Sequence, residues 1–177
     1  MLQQRMLCLW SANLVVLAAI PACAAPTPTG GGKDRKSKPD RPSIYDTRAD
    51  GETQIADALK IAGRNNKRVL LKFGANWCPW CHQLHKLLKE DPRVAAKLKA
   101  SYELVLIDVD TVDGKKHNEK VDAKYGNPMK LGLPVLVVLD AEGKQLTTQP
   151  TEVFEVEDRH DPDKVLAFLE KWSPPRK

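Results

Sequence analysis

The chain has 177 residues, 42% of them hydrophobic and 29% charged, which is enough for one ordinary soluble domain with some chain to spare. Its formal charge of +5 is unevenly placed: Lys33, Arg35, Lys36, Lys38 and Arg41 outnumber Asp34 and Asp40 in one Pro/Gly/Ser-rich stretch, and Arg176 and Lys177 end the chain. A nucleic-acid surface needs basic residues interleaved with aromatics on a folded face, so this distribution excludes that class and reads as solvated tails.

Residues 1–24 carry the marks of a signal peptide. Arg5 supplies a positive start, Met6 to Ile20 is mostly apolar with Ser11 and Asn13 interrupting it, and Ala22-Cys23-Ala24 is an A-x-A-like cleavage site. The run is too short to span a bilayer. Ile20-Pro21-Ala22-Cys23 can also be read as a bacterial lipoprotein processing box, with residues 1–22 removed and Cys23 lipidated, although Pro21 fits that box poorly. Either way the protein is expected to be exported and periplasmic, with any membrane attachment through a lipid on Cys23. Residues 25–43 cannot bury a core and form a flexible Pro/Gly/Lys-rich linker. The folded domain is placed at 44–173 and a frayed tail at 174–177.

Asp50 caps a predicted helix whose apolar residues Ile55, Ala58, Leu59 and Ala62 recur every three or four positions. Val69 to Phe73 is a short strand without polar alternation, as expected when helices cover both faces. A helix opening at Cys78 carries Leu84, Leu87 and Leu88, and Asp91-Pro92 starts the next one. Tyr102 to Val109 is a strand, Thr111 to Asn118 a polar loop, and Glu119 to Tyr125 a short helix. The segment Asn127 to Leu131 reads as an insert. Pro134 to Leu139 is a strong strand, and Gly143 in the following turn needs a positive φ, so Lys144 to Thr148 returns antiparallel. Asp161-Pro162 begins a last helix with Val165, Leu166, Phe168, Leu169 and Trp172. The order predicts an α/β domain, a central sheet of about four to five strands with helices on both faces.

Cys8 lies within the signal and Cys23 is removed or acylated, which leaves Cys78 and Cys81 to the mature domain. The loop they could close is too short to gain much chain entropy, so a reactive role suits an exported pair better than a staple. Three chemistries use such a pair. Cys78-Pro79-Trp80-Cys81-His82 is a literal C-x-x-C-H, the covalent haem signature, for which Met129 could serve as distal ligand. Haem would leave the apolar strands unexplained. Cys78, Cys81, His82 and His85 could bind copper or zinc, but His82 leaves the helix face that Cys81 and His85 share. Dithiol–disulfide exchange is the third.

Trp77-Cys78-x-x-Cys81 at a strand-to-helix junction, Gly132-Leu133-Pro134 before PVLVVLD, and the ensuing hairpin and terminal helix together resemble the thioredoxin-like superfamily. The resemblance covers roughly Asp50 to Trp172. It implies a thiol–disulfide oxidoreductase acting on protein substrates, reset by a redox partner, with no dissociable cofactor and with reduction the favoured direction. It also implies that Pro134 is cis and that the Leu133 backbone aligns an extended substrate beside Cys78.

The residue chemistry agrees: a cysteine at a helix N-terminus meets unpaired N–H groups and the positive dipole end, which favour the attacking thiolate. Cys78 is expected to be the accessible nucleophile, and Cys81, one turn in, the buried resolving thiol. Trp77 and Trp80 are expected to form an apolar rim, and His82 to tune the thiolate by its charge. Lys72 stands where thioredoxins carry a buried acid. It is expected either to favour the thiolate or to snorkel to solvent.

Overall fold

A computed structural model of the chain describes residues 42–112 and 114–175. Cys8, Cys23, the predicted signal and nearly all of the predicted linker lie outside the described residues, as do the last two residues of the tail.

The first helix, α1 (Gly51–Asn65), starts where Asp50 accepts a hydrogen bond from the Thr53 N–H and ends at Asn66 in the left-handed region. Strand β1 (Arg68–Gly74) leads into α2 (Pro79–Glu90), then α3 (Pro92–Ser101) and β2 (Tyr102–Asp108). Asp91 closes α2 and caps α3, accepting from the N–H groups of Arg93 and Val94. The predicted loop after β2 is instead a small hairpin of β3 (Thr111–Val112) and β4 (Lys115–Lys116), followed by α4 (Glu119–Lys124). The predicted insert forms a short 3-10 helix, Pro128–Leu131. It is held because Asp122 accepts from the Met129 N–H, and Met129 packs on the core.

Strands β5 (Val135–Leu139) and β6 (Gln145–Pro150) form the expected hairpin, with Gly143 at φ 87° in its turn. A second 3-10 helix (Thr151–Phe154) and the hairpin β7 (Glu155–Val156) with β8 (Arg159–His160) occupy a segment that shows no clear periodicity in the sequence. The last helix, α5 (Pro162–Lys171), is capped by Asp161.

The main sheet has four strands in the order β2-β1-β5-β6, with β1 and β2 parallel and the other pairs antiparallel. Central strand β1 is buried from Val69 through Gly74, and β5 along its whole length. Val69, Leu71, Phe73, Val135 and Val137 face α1 and α4, whereas Leu70, Leu136 and Val138 face α2, α3 and α5. Two apolar layers thus flank one sheet, which is why neither strand alternates in sequence. Among the described residues no helix is long and apolar enough to cross a membrane.

The consequence for chemistry is local. Strand β1 ends at Gly74 in the middle of the sheet, and α2 begins five residues later with its N-terminus at that edge. Lys72 and Gly74 share the face with Leu70, so the two groups nearest the cysteines on this strand point toward α2.

Candidate active site

Cys78 is the N-cap of α2, with φ −80° and ψ 112°, and its sulfur accepts from the Cys81 N–H at 3.1 Å. A sulfur in this position faces the unpaired N–H groups of the first turn, which is the environment that stabilises a thiolate. Pro79 occupies the first helical position, where no N–H is needed. Cys78 and Cys81 are joined by a disulfide, their Cα atoms 5.2 Å apart.

The sequence predicts an accessible Cys78, and here the structure corrects it. Cys78 is only 3% exposed and Cys81 is fully buried. The pair sits in a small apolar cluster with Tyr45, and Ile44, Trp80, Leu106 and Leu133 close around it. The order of exposure is as expected, with Cys78 the outer of the two, but only a sliver of it meets solvent.

Leu133 and Pro134 arrive from the start of β5. The Leu133–Pro134 peptide is cis, and the Leu133 carbonyl oxygen lies 3.8 Å from Cys78 Sγ. Pro134 is buried, and the Thr151 hydroxyl donates to its carbonyl at 2.6 Å. Thr151 thereby fixes the loop from behind, a role that a lone threonine after a strand does not advertise in sequence.

The two tryptophans separate. Trp77 is 49% exposed and its Nε1–H donates to Asp110 Oδ1 at 2.9 Å, so it projects from the surface beside the pair. Trp80 is half-buried against the cysteine cluster and meets the His160 ring edge-on, centroids 5.2 Å apart. The two tryptophans thus differ in exposure, although both lie near the cysteine pair. Only Trp77 is prominent, because the β7–β8 hairpin claims Trp80.

His82 is tied back rather than aimed at the sulfurs, its Nε2–H donating to the Asn76 carbonyl at 2.7 Å. His85 has a buried Nδ1 without a partner, and burial holds its ring down to about 4. Among the described residues no group of three or more His, Cys, Asp or Glu is arranged to hold a metal ion.

Lys72 does not snorkel. It is wholly buried, and Nζ donates to the Tyr45 hydroxyl at 2.8 Å and to the Cys81 carbonyl at 2.9 Å. Both partners are neutral, and burial pulls the amine down to about 7. The ammonium also lies 4.7 Å from the Tyr45 ring centroid.

Tyr45 carries no signal of a site residue in the sequence, since it follows the linker in a stretch without periodicity. Asn76 brings it in: Oδ1 accepts from the N–H groups of Ile44 and Tyr45, and Nδ2 donates to the Tyr45 carbonyl, each at 2.9 Å. Gly74 makes room for the arrangement. A Cβ there would meet Cys81 Sγ at 2.7 Å and the Tyr45 hydroxyl closer still, so both groups converge on the space that glycine leaves open.

The thioredoxin-like domain family matches residues 55–155, which includes the cysteine pair and the Leu133–Pro134 loop. A crystal structure described as a disulphide isomerase from Xylella fastidiosa Temecula1 is 31% identical in sequence. It covers 73% of this chain and 96% of its own, with a TM-score of 0.62. The disulfide bond reductase DsbH of Chlamydia pneumoniae is 28% identical over 139 residues, 74% of this chain and 78% of that protein. The thiol:disulfide interchange protein DsbD of Actinobacillus pleuropneumoniae is 33% identical over 88 residues. That match covers half of this chain and spans only 14% of DsbD, so it falls on one part of a much longer protein. With a matching sheet, a disulfide at the N-terminus of α2 and a cis-proline loop beside it, the chain belongs to the thioredoxin-like domain family.

Proposed function

We propose that this protein is an exported thiol–disulfide oxidoreductase that exchanges disulfides with protein substrates. Reduction is the favoured direction, and a separate redox partner resets the cysteine pair. In the reduced protein, Cys78 thiolate attacks a substrate disulfide. A mixed disulfide forms and one substrate thiolate leaves. Cys81 then attacks Cys78 Sγ, closing the intramolecular disulfide and releasing the second substrate sulfur. The Leu133 backbone beside Cys78 orients the incoming segment, and Trp77 offers it an apolar face.

The observation that carries this reading is the position of Cys78 Sγ. It accepts from the Cys81 N–H at the mouth of α2 while lying 3.8 Å from the Leu133 carbonyl. The names of the relatives point the same way, since a reductase, an interchange protein and an isomerase all work by thiol–disulfide exchange. Reduction is favoured because DsbH, matched over 78% of its length, is named a reductase. Export rests on the N-terminal sequence alone. In this reading residues 1–24 are a signal, residues 25–43 a tether, and Cys23 a lipid-attachment site if cleavage falls before it.

The test is turnover of insulin disulfides by the reduced protein. Turnover that disappears in Cys78→Ser, together with a trapped mixed disulfide in Cys81→Ser, supports the assignment. Undiminished turnover in Cys78→Ser excludes it. Equilibration against glutathione then decides direction, because a strongly oxidising pair is a poor reductant.

A further inference from the structure

Lys72 is anomalous on general grounds. Lysines are almost never fully buried unless paired with a carboxylate, because the desolvation cost is large. This one sits on the central strand under the disulfide with a phenol and a peptide carbonyl as its partners. Buried, strongly perturbed groups of this kind concentrate where proton transfer is needed.

We propose that Lys72, acting through the Tyr45 hydroxyl, takes up the Cys81 proton when Cys81 attacks the mixed disulfide. The proposal rests on the disulfide-exchange reading above and names the relay that serves it.

Three geometric facts support it. The Tyr45 hydroxyl is 2.8 Å from Lys72 Nζ. The same hydroxyl and Cys81 Sγ both border the space above Gly74, so phenol and sulfur are neighbours there. The second Lys72 bond, to the Cys81 carbonyl, holds the amine at the first turn of α2. Burial adds the right chemistry. An amine titrating at about 7 is partly neutral at neutral pH and offers a lone pair, whereas an ordinary lysine would not.

With Cys78 joined to the substrate sulfur, the Cys81 S–H proton passes to Tyr45 Oη while the Tyr45 hydroxyl proton passes to the Lys72 amine. Lys72 becomes an ammonium and Tyr45 is unchanged. The Cys81 thiolate attacks Cys78 Sγ, the Cys78–Cys81 bond forms, and the Cys78–substrate bond breaks with its electron pair on the substrate sulfur. The cysteine pair is oxidised by two electrons and the substrate disulfide reduced by two. Lys72 later returns its proton to the buffer.

Other titratable groups face this site. His85 on α2 and His160 on β8 are held down to about 4 by burial and, beyond that, by the Lys72 charge, so they stay neutral through the Lys72 titration. Burial, with the Asp108 charge on β2 adding to it, pushes the Tyr45 phenol upward, which keeps Tyr45 protonated and able to relay. Cys78 and Cys81 border the site as well.

Stopped-flow reaction of the reduced full chain with stoichiometric dithiodipyridine separates the two steps. The first pyridinethione appears in a phase that depends on probe concentration and reports Cys78 attack. The second appears in a concentration-independent phase that reports Cys81 attack. The wild-type second phase is expected to climb with pH and level off once Lys72 is neutral, above about 7. In Lys72→Arg, which keeps a cation but cannot accept a proton, and in Tyr45→Phe, that phase should slow at least about tenfold at mildly alkaline pH and lose its plateau, with the first phase changed much less. A wild-type second phase in either variant, or equal slowing of both phases, overturns the proposal. If Lys72→Arg does not fold, Tyr45→Phe decides alone. Absence of the first phase in the wild type would overturn the exchange reading itself, a separate failure.

Discussion

Asn76 grips Tyr45 by both of its main-chain polar groups, accepting from its N–H and donating to its carbonyl, each at 2.9 Å. A third bond goes to the Ile44 N–H. The residue just before Trp77 is thus the clamp that holds the stretch following the linker against the cysteine pair.

Asn76→Ala should therefore loosen residues 44–46 before it loosens anything else. Losing these bonds while leaving the main-chain groups partly buried costs about 1–3 kcal/mol. Chemical denaturation gives the total, and hydrogen exchange gives the location. Unchanged protection of the Tyr45 amide in the variant would mean that Asn76 is not the clamp.

The buried lysine leaves a signature in stability against pH. Its folded value of about 7 lies below the ordinary 10.5, so between these values the unfolded chain binds a proton that the folded chain does not. The burial penalty is complete below about 7 and is relieved as pH rises toward 10.5. Oxidised wild-type protein should therefore gain on Lys72→Met by up to about 1.4 kcal/mol per pH unit across that window. Urea titrations at several alkaline pH values check it, and parallel curves for the two proteins would contradict it.

His160 works in the acid range. Both ring nitrogens are buried without partners, and burial together with the Lys72 charge holds the ring down to about 4 from 6.5. Stability from keeping it neutral is complete above about 6.5 and is lost as pH falls toward 4, at up to about 1.4 kcal/mol per pH unit. His160→Phe should reduce this acid sensitivity while keeping an aromatic ring at Trp80, which thermal melts at neutral and acid pH would reveal.

Gly74→Ala tests the crowding at the end of β1. The added methyl must displace Cys81 or Tyr45, since it would meet the sulfur at 2.7 Å. Overpacking of this kind costs typically about 1–3 kcal/mol. A denaturation midpoint equal to wild type would show that the site is looser than described.

Trp77 is expected to matter to large partners and little to the fold. Being 49% exposed, its replacement by alanine should change stability by no more than about 0.5 kcal/mol. The KM for a protein disulfide should rise roughly tenfold, about 1.4 kcal/mol, with little change for a small aromatic disulfide. Comparing the two substrates side by side makes the check, and equal effects on both would remove Trp77 from the binding face.

Features that depend on near neighbours are legible in the order of residues. Asp50, Asp91 and Asp161 each announce a helix start because a cap bonds to N–H groups two or three residues away. The spacing of Cys78 and Cys81 places one sulfur at the helix mouth and the other a turn inside. Val69 to Phe73 and Val135 to Leu139 declare themselves as doubly covered strands by lacking polar alternation.

How the pair is surrounded depends on contacts between distant parts of the chain. Tyr45 reaches Lys72 across 27 positions and His160 reaches Trp80 from the far end of the chain, contacts that carry no periodic trace. That closure is also why Cys78 is covered where sequence expects it open, and why Lys72 stays inside where sequence allows it to snorkel. A helix cap is satisfied within one turn. A buried amine needs partners that only the folded chain can bring together, so its role becomes visible only once those partners are in place.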